Sequence, residues 1–328
     1  SEISLISLIL VTYNSARLLP EFFAALGTTR DAAYEVLVVD NASSDGTPEL
    51  VAERYPQAQL LANAENGGFG RACNQGGRAA RGDLLVFLNP DVIVTPSWLA
   101  ILARHMREHP DAAIICPTTL DSSDGRLEIG DWGPRAGQER TSQPPTVADT
   151  AAVPGCAMMI RRAAWDQLGG FDERFFLYWE DTELCWRAWL QGWRVLEDLE
   201  ACVYHERGGS AGDRHWDQER TKNALRTYLK LIRWRRVLPF VALLSAKTAA
   251  KIVIRREPGL LAAWIWNWRH LGETLAWRRE LTRACRGDRA ELERLIAIHV
   301  RRGRRERRER RRGTRRQRKG AQEWQKHW

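Results

Sequence analysis

Two short stretches of this sequence carry carboxylates at positions where they could bind a metal ion or take part in catalysis. The first is Leu84-Leu-Val-Phe-Leu-Asn89-Pro90-Asp91, in which a wholly apolar run ends abruptly in a turn. Such a run is typical of a buried parallel strand, and open α/β sheets bind ligands beyond the carboxyl ends of their strands. Asn89 and Asp91 would then face a crevice where a substrate and a metal could meet. A plain loop after a strand is the alternative interpretation.

The second stretch is Trp179-Glu180-Asp181-Thr-Glu183-Leu184, where acidic residues occupy the first turn of a predicted helix. Asp181 lies one turn before Leu184 and should lean toward the core. The carboxylates could simply complement the helix dipole. Nearby aromatic side chains would shield them from water and favour a functional carboxylate instead: Tyr178, Trp179 and Trp186.

Strands and helices alternate over the first 117 residues, which predicts a doubly wound parallel sheet. The predicted strands are Leu5 to Tyr13, Tyr34 to Val39, Gln59 to Ala62, Leu84 to Leu88 and Ala112 to Cys116. Predicted helices near Leu18 to Leu26, from Pro48, from Gly70 and over Ser97 to Glu108 separate them.

Residues 118–214 are predicted to form a second half with a less regular pattern. Between Asp121 and Asp149 the sequence indicates a hairpin and a mobile loop. A strand is predicted over Ala151 to Arg161, where the small Gly155 and Cys156 would let a bulky ligand approach the backbone. A last strand, Val195 to Tyr204, precedes His205.

The charge is unevenly distributed along the chain. The formal net charge is +9, yet acidic residues predominate up to Arg214 and basic residues after it. The six cysteines form no C-x-x-C pair, which argues against a zinc ribbon or a disulfide scaffold and favours a reducing cytosol. The short apolar N-terminal stretch is predicted to be a strand rather than a signal peptide.

Residues 215–300 are predicted to be helical. No clean run of about 18 apolar residues is evident there, so a transmembrane span is not expected. Tryptophans interleaved with arginines suit a membrane interface, with packing onto the preceding domain as the alternative. The Arg-rich residues 301–328 are predicted to be disordered and could meet anionic lipid or nucleic acid.

Seven motifs, in order, resemble those of glycosyltransferase family 2, in its bacterial rhamnosyltransferase-like branch of cell-envelope polysaccharide assembly. They are LVTYNS at Leu10, VVDNASSDGT at Val38, NGGFGRACNQG at Asn66, FLNPD at Phe87, GCAMMIRR at Gly155, GGFDERFFLYWEDTELCWR at Gly169 and HERGGS at His205. The resemblance implies a GT-A fold: a mainly parallel, doubly wound α/β sheet over residues 1–214, with a helical, basic C-terminal extension. Its nucleotide-sugar half would be 1–117 and its acceptor half 118–214.

The resemblance also implies a donor, an acceptor and a metal. Asp91 matches the family's metal-binding position and His205 a second protein ligand, and these donors suit Mg²⁺ or Mn²⁺. Asn89 replaces the first Asp of the general D-x-D pattern, so the site has one negative charge fewer. The metal would support departure of the nucleoside diphosphate from a donor sugar.

Donor contacts are implied along the first four strands. Asp40 resembles the residue that bonds the nucleobase, beside Thr12 and Asn14. The glycines of the NGGFG motif would let backbone approach the diphosphate, which Arg71 could balance. The full predicted donor set is Thr12, Asn14, Asp40, Asn41, Asn66, Gly67, Gly68, Arg71, Asn74 and Asn89.

The reaction implied by the resemblance is transfer with inversion. Asp181 would be the general base that takes a proton from the acceptor hydroxyl, with Glu180 as the competing candidate. Gly155, Cys156 and Trp179 would contact the acceptor, a glycan or lipid-linked sugar, and Cys156 would be inert packing. The enzyme would lie in the cytoplasm, on the inner face of an anionic membrane.

Two other classes of function remain open at this point. A nucleotidyltransferase would be expected to carry a glycine- and lysine-rich signature near its first strand, and Val11-Thr-Tyr-Asn14 has none. A nucleic-acid-binding protein would mix basic residues into the fold, whereas here they are concentrated in the C-terminal part. Nucleic acid is therefore not the expected partner, and the oligomeric state is left open.

Overall fold

The nucleotide half is a parallel sheet, as the alternation of elements predicts. The computed structural model describes residues 5–121, 145–205 and 216–301. Within them the half comprises β1 (Ile6–Thr12), α1 (Leu19–Leu26), β2 (Tyr34–Asp40), α2 (Thr47–Arg54), β3 (Gln59–Ala62), α3 (Phe69–Ala79) and β4 (Leu84–Leu88). The strands lie in the order β3-β2-β1-β4 and every neighbouring pair is parallel. Their carboxyl ends therefore meet at one edge.

The acceptor half continues the same sheet with mixed strand directions. The elements after β4 are β5 (Val92–Val94), α4 (Trp98–Glu108) and β6 (Ala112–Asp121), which begin before the predicted boundary at residue 117, and then β7 (Val147–Asp149), β8 (Ala157–Arg161), α5 (Arg162–Leu168), α6 (Glu180–Leu190) and β9 (Arg194–His205). The nine-stranded sheet runs β3-β2-β1-β4-β8-β6-β9-β5, with β7 also on β9. β8 is antiparallel to both β4 and β6, whereas β6 and β9 are parallel. The parallel character thus holds strictly only for the first half.

Two details of the acceptor half differ from the sequence prediction. The strand expected over Ala151 to Arg161 begins only at Ala157. Pro154 has no N–H that could donate a hydrogen bond to a neighbouring strand. The N–H of Gly155 donates to the side chain of Asp181 instead of to a strand. The last strand includes His205 rather than ending before it. The hairpin and loop expected between Asp121 and Asp149 fall largely outside the described residues.

Apolar side chains cover both faces of the sheet, which explains why its strands are continuous hydrophobic runs. Alternate residues of β1, such as Ile9 and Leu10, belong to two separate buried clusters. One cluster includes α5 and α6, and the other includes α1 and α4. Because both faces are buried, the strands lack the polar alternation of a solvated sheet.

The C-terminal helices pack onto α6 and its apolar cluster, so the packing alternative of the sequence analysis is correct for part of this region. They are α7 (Asp217–Leu231), α8 (Trp234–Arg255), α9 (Leu260–Arg269) and α10 (Leu271–Arg283), followed by a helix from residue 289, described as far as 301. α7 contacts α6, α9 and α10. Buried Leu231, Leu281 and Leu292 join the same apolar cluster as α6.

A buried ionic network fastens α7 to α6. Lys230 donates to Asp172 at 2.8 Å and to Glu183 at 2.7 Å, and Arg226 donates to Asp172 at 3.0 Å. Arg187 also bonds Glu183, at 2.6 Å. Burial alone would raise the pKa of Asp172, but Lys230 and Arg226 outweigh it and hold that pKa well below its usual range. Removing one partner would leave a buried charge uncompensated, at a cost of about 3–5 kcal/mol.

Helix α8 is longer and more apolar than the sequence analysis expected. It has 22 residues, and its most apolar 18-residue window is only 11% buried within the protein. By length and composition it could cross a membrane, although the sequence analysis found no such run. Lys247 and Lys251 are spaced four residues apart, so they interrupt the apolar run without making the window polar. Among the described residues it is the one helix that meets this criterion.

Candidate active site

Asp91 and His205 are brought together by the short strand β5. Val92 pairs with His205 in the antiparallel register of β5 and β9, so the residue before Val92 lies beside the end of β9. The buried Asp91 Oδ1 is 3.2 Å from His205 Nε2, and the imidazole is one-fifth exposed. Although they are 114 positions apart in sequence, the sheet places the two predicted metal ligands side by side.

The donor atoms at this position fit a divalent cation. The carboxylate oxygen suits Mg²⁺ or Mn²⁺, and an imidazole nitrogen is a common ligand of transition-metal ions, so the pair is compatible with Mn²⁺ in particular. No third His, Cys, Asp or Glu joins them to form a three-residue cluster anywhere in residues 5–121, 145–205 or 216–301. Such a site would need oxygens from the substrate to complete its coordination shell, as magnesium sites with phosphate ligands do.

Asn89 and Cys156 lie opposite each other where β4 ends and β8 begins. The backbone N–H of Asn89 donates to the carbonyl of Cys156 at 3.0 Å, which continues the β4–β8 pairing by one residue. The Cys156 side chain is buried, consistent with inert packing. The donor and acceptor contacts expected of these residues stay predictions.

Asp181 is held by the backbone of the segment before β8. The N–H of Gly155 donates to Asp181 Oδ2 at 3.0 Å, and the N–H of Thr182 donates to Oδ1 at 2.5 Å. A Cβ at position 155 would lie 3.4 Å from the Asp181 Cβ, so a larger residue there would crowd the carboxylate. The side chain remains half-buried at the start of α6. It is thus oriented, and part of its surface is still accessible.

Glu180 has a different environment from its neighbour. Its side chain is buried, and Oε2 has no hydrogen-bond partner among the described residues. Burial, and after it the charge of Asp181, raise the pKa of Glu180 well above the usual value. Burial thus disfavours the ionised form of Glu180 more than is usual for a glutamate, so Asp181 is the better candidate for the base.

The turn that leads into α6 has a strained backbone. Tyr178 and Trp179 have φ angles of 68° and 74°, in the left-handed region that residues other than glycine rarely adopt. Each such residue costs roughly 1–2 kcal/mol. The half-buried Trp179 contacts Trp186 and Tyr228 edge-on, with ring centroids about 6 Å apart. Strain of this kind persists where surrounding contacts hold it, commonly at functional sites.

At the ends of β1 and β2, Asp40 is the centre of a hydrogen-bond cluster. Thr12 Oγ1 donates to Asp40 Oδ1 at 2.8 Å, and Ser43 donates its hydroxyl to Oδ1 and its N–H to Oδ2. The exposed Asn14 receives the N–H of Ser44 at 2.9 Å. The carboxylate of Asp40 thus accepts three hydrogen bonds within this cluster, and the nucleobase contact expected of it stays a prediction. Sequence analysis did not single out Ser43, whose short side chain orients Asp40.

The NGGFG loop is fixed by its glycine and asparagine residues. Gly68 has a φ of 88°, and a Cβ there would lie 2.5 Å from the Phe176 carbonyl oxygen. Only glycine fits both constraints. Asn66 accepts the Gly68 N–H at 3.0 Å, and Asn41 donates to the Gly68 carbonyl at 3.2 Å. These residues shape the loop beside the end of β2.

A cavity of about 560 Å³ lies next to this loop. Its lining combines amides with two arginines: Asn41, Asn63, Ala64, Glu65, Gly67, Arg71, Gln75 and Arg78. The exposed Arg71 pairs with Glu65 at 3.2 Å. Three residues of the predicted donor set, Asn41, Gly67 and Arg71, therefore meet in one concave surface.

Asn74 has a structural role that the sequence analysis did not foresee. It is buried on α3, and its Nδ2 donates to the Phe171 carbonyl and to Glu173 while its Oδ1 accepts the Phe171 N–H. The amide thus fixes the loop before α6, 97 positions away in sequence. The donor contact expected of Asn74 stays a prediction.

The structure thus places Asp91 beside His205 at the end of the sheet and orients Asp181 through the backbone of Gly155, which is the arrangement that the sequence analysis predicts for a GT-A enzyme. Residues 7–168 match the family model "Glycosyl transferase family 2". A relative from Mycobacterium tuberculosis, N-acetylglucosaminyl-diphospho-decaprenol L-rhamnosyltransferase, is 30% identical over 236 residues, 62% of this chain and 76% of that protein. The chain belongs to glycosyltransferase family 2 and is a glycosyltransferase, which excludes the nucleotidyltransferase alternative.

Solved structures confirm the fold. TarS from S. aureus, in complex with UDP-GlcNAc, aligns with a TM-score of 0.57 at 18% identity, over 79% of each chain. The mannosyltransferase PcManGT from Pyrobaculum calidifontis, in complex with GDP-Man and Mn²⁺, aligns with a TM-score of 0.53 at 20% identity, covering 85% of this chain and 84% of that one. The predicted α/β GT-A architecture is therefore confirmed.

Proposed function

We propose that this chain is an inverting, cation-assisted glycosyltransferase that moves a sugar from a nucleoside diphosphate to a hydroxyl of a cell-envelope glycan or lipid-linked acceptor. The observation that carries the proposal is the pair of sites at one sheet edge: Asp91 beside His205, and Asp181 oriented by Gly155. Rhamnose is the first sugar to test, because the M. tuberculosis relative is a rhamnosyltransferase.

In this proposal Asp91 and His205 would hold the cation against the donor diphosphate. A bound Mg²⁺ or Mn²⁺ supplies positive charge where the departing diphosphate becomes more negative. Asn89, with a neutral amide, could orient the sugar or the diphosphate without adding charge. The cavity near the NGGFG loop, with Arg71 and Arg78, offers cationic groups for the same donor.

Asp181 would remove the proton from the acceptor hydroxyl as its oxygen attacks the anomeric carbon. The bond between that carbon and the diphosphate oxygen breaks on the opposite face, so the configuration inverts. The Gly155 N–H keeps the carboxylate in one orientation, which favours a productive attack geometry. Glu180, protonated beside it, would avoid a second negative charge at the same place.

The donor can be identified by ligand-dependent stabilisation. We expect one group among UDP, dTDP and GDP sugars to raise the melting temperature with Mn²⁺ and to do so much less in EDTA, because ligand binding stabilises the native state by mass action. Differential scanning fluorimetry measures this directly. A chain stabilised by no nucleotide sugar, with or without Mn²⁺, would contradict the proposal.

We further propose that the enzyme acts from the cytoplasm on an anionic membrane surface. The observation behind this is an exposed apolar face on α8 and α9: Leu238, Leu243, Val253, Ile254, Leu261, Ile265 and Trp268. At about 100° per residue, the four α8 residues are spread over nearly half of the helix circumference. Basic residues border this face at Lys247 and Arg255, and the Arg-rich residues 301–328, which lie outside the described part, follow in sequence.

Vesicle sedimentation tests this surface. We expect truncation after Val300 to weaken binding to anionic vesicles at low salt, since each basic residue near the surface contributes about 1 kcal/mol. Leu243→Gln with Val253→Gln should weaken it at all salt concentrations by reducing apolar insertion. Transfer to a soluble acceptor analogue should change little. Equal binding of all variants to anionic and neutral vesicles would contradict the proposal, and salt-sensitive RNA binding would point to nucleic acid.

A further inference from the structure

We propose that Asn223, on α7, is a positioning residue for the catalytic turn that carries Asp181. Its buried side-chain amide donates one hydrogen to the Leu177 carbonyl at 3.0 Å and the other to the Tyr178 carbonyl at 2.8 Å. Both carbonyls belong to the segment just before α6. The proposal rests on the proposed function, because it assigns Asn223 to the reaction of Asp181.

The two bonds are placed where the backbone needs support. Tyr178 and Trp179 are in the left-handed region, and α6 begins at the next residue. Two adjacent carbonyls fixed by one planar amide restrict rotation of the Tyr178 peptide groups. Because Asp181 lies in the first turn of α6, a relaxation of this turn would shift its carboxylate relative to Gly155 and the acceptor.

Helix α7 is anchored firmly enough to act as a rigid support. Arg226 and Lys230 follow Asn223 by three and seven positions, so all three lie on one face of the helix. That face meets Asp172 and Glu183 through the buried ion pairs already described. Asn223 is therefore held by α7, and α7 is held by α6 itself. A side chain placed this way is preorganised rather than ordered by the substrate.

An asparagine is chemically suited to this position. Its NH₂ group provides two donors in one plane, matching two consecutive carbonyls. Its Oδ1 has no hydrogen-bond partner among the described residues, so the two bonds donated by Nδ2 are the side-chain hydrogen bonds of Asn223 within that part of the chain. Asn223 also lies outside residues 7–168, the part that matches the family model.

The chain offers a matched control in Asn267 on α9. Asn267 is likewise buried, donates to two carbonyls, of Lys222 at 3.0 Å and Ala263 at 2.9 Å, and has an Oδ1 without a partner in the described residues. Its two carbonyls belong to the C-terminal helices rather than to the catalytic turn. Replacing either asparagine by the similarly shaped leucine removes two donors from a comparable environment.

The test compares Asn223→Leu with Asn267→Leu in the full chain. We expect both to lower the melting temperature, but only Asn223→Leu to reduce kcat for transfer, by roughly 10-fold or more, because a small misplacement of a reacting group is costly. Donor affinity, measured by stabilisation with nucleotide sugar, should change by no more than about 2-fold in either variant. Asn223→Ser, which keeps one donor, should have an intermediate kcat and serves as the assay variant should the leucine variant not fold.

A double-mutant cycle shows whether Asn223 acts through Asp181. In an Asp181→Asn background, Asn223→Leu or Asn223→Ser should lower the residual rate by less than about 3-fold, because residues acting as a unit are not additive. An unchanged kcat in the Asn223 variants, or an equal loss in both backgrounds, would overturn the inference. A normal rate for Asp181→Asn alone would instead overturn the proposed function.

Discussion

Asp181→Asn should reduce sugar transfer by roughly 10²-fold or more while leaving donor binding intact. Asparagine keeps the shape of the side chain, and its oxygen can still accept the Gly155 N–H, but it cannot take the acceptor proton. The rate is measured as release of nucleoside diphosphate in the presence of acceptor. Donor affinity is measured by thermal stabilisation.

Glu180→Gln is the matched control for this variant. The pKa of Glu180 is raised by burial and by Asp181, so glutamine resembles the protonated side chain that the folded protein already favours. We therefore expect a much smaller loss of rate than for Asp181→Asn. A large loss in Glu180→Gln with little change in Asp181→Asn would exchange the roles of the two residues.

Asp91→Ala should abolish cation-dependent transfer. The substitution removes the carboxylate that lies 3.2 Å from His205 and leaves the imidazole as the single protein ligand at this position in the described residues. Stabilisation of the donor diphosphate by the cation would then be lost, and such electrostatic contributions are commonly worth 10²-fold or more in rate. Initial rates over a range of Mn²⁺ and Mg²⁺ concentrations measure the effect.

The control for Asp91→Ala is Asp149→Ala. Asp149 is a carboxylate of the same sheet, on β7, and it pairs with the partly exposed Arg194. Loss of a solvent-exposed pair costs little, so this variant should keep its stability and its cation dependence. Equal losses in both variants would indicate a general effect of removing negative charge rather than loss of a metal ligand.

The nucleotide half could be predicted well because its strands are buried on both faces. A short continuous apolar run such as Leu84–Leu88 is typical of a strand that is buried on both faces. The polar turn residues after such a run indicate the edge of the sheet at which a ligand is expected to bind. Asp91 was singled out from this pattern, with a plain loop as the alternative, and its metal-binding role was implied by the family resemblance. His205 needed the family resemblance, because a lone histidine after a strand gives no local signal.

The contact between Asp91 and His205 could not be predicted from local sequence. It depends on β5, a strand of three β-branched residues that is too short to show a periodicity, and on its pairing with β9 over a hundred residues later. Register between distant strands is set by the whole sheet. A short edge strand therefore brings Asp91 and His205 together, although its own sequence is too short to predict this pairing.

The buried polar residues of α7 were also beyond sequence reasoning. Arg226 and Lys230 look like solvated positions of a basic helix, yet both are buried against Asp172. Buried charges require partners that only the tertiary structure supplies. Asn74 shows the converse: a residue inside a family motif whose side chain serves the fold. Motif membership therefore did not separate ligand contacts from structural ones.

Cation dependence of transfer tests the central claim most directly. The purified full chain is supplied with the donor that stabilises it and with an acceptor, and product is measured by mass spectrometry with increasing Mn²⁺ after treatment with EDTA. We expect no product in EDTA, saturable recovery with Mn²⁺ in the wild type, and no recovery in Asp91→Ala. Full transfer in EDTA, or wild-type recovery in Asp91→Ala, would contradict it.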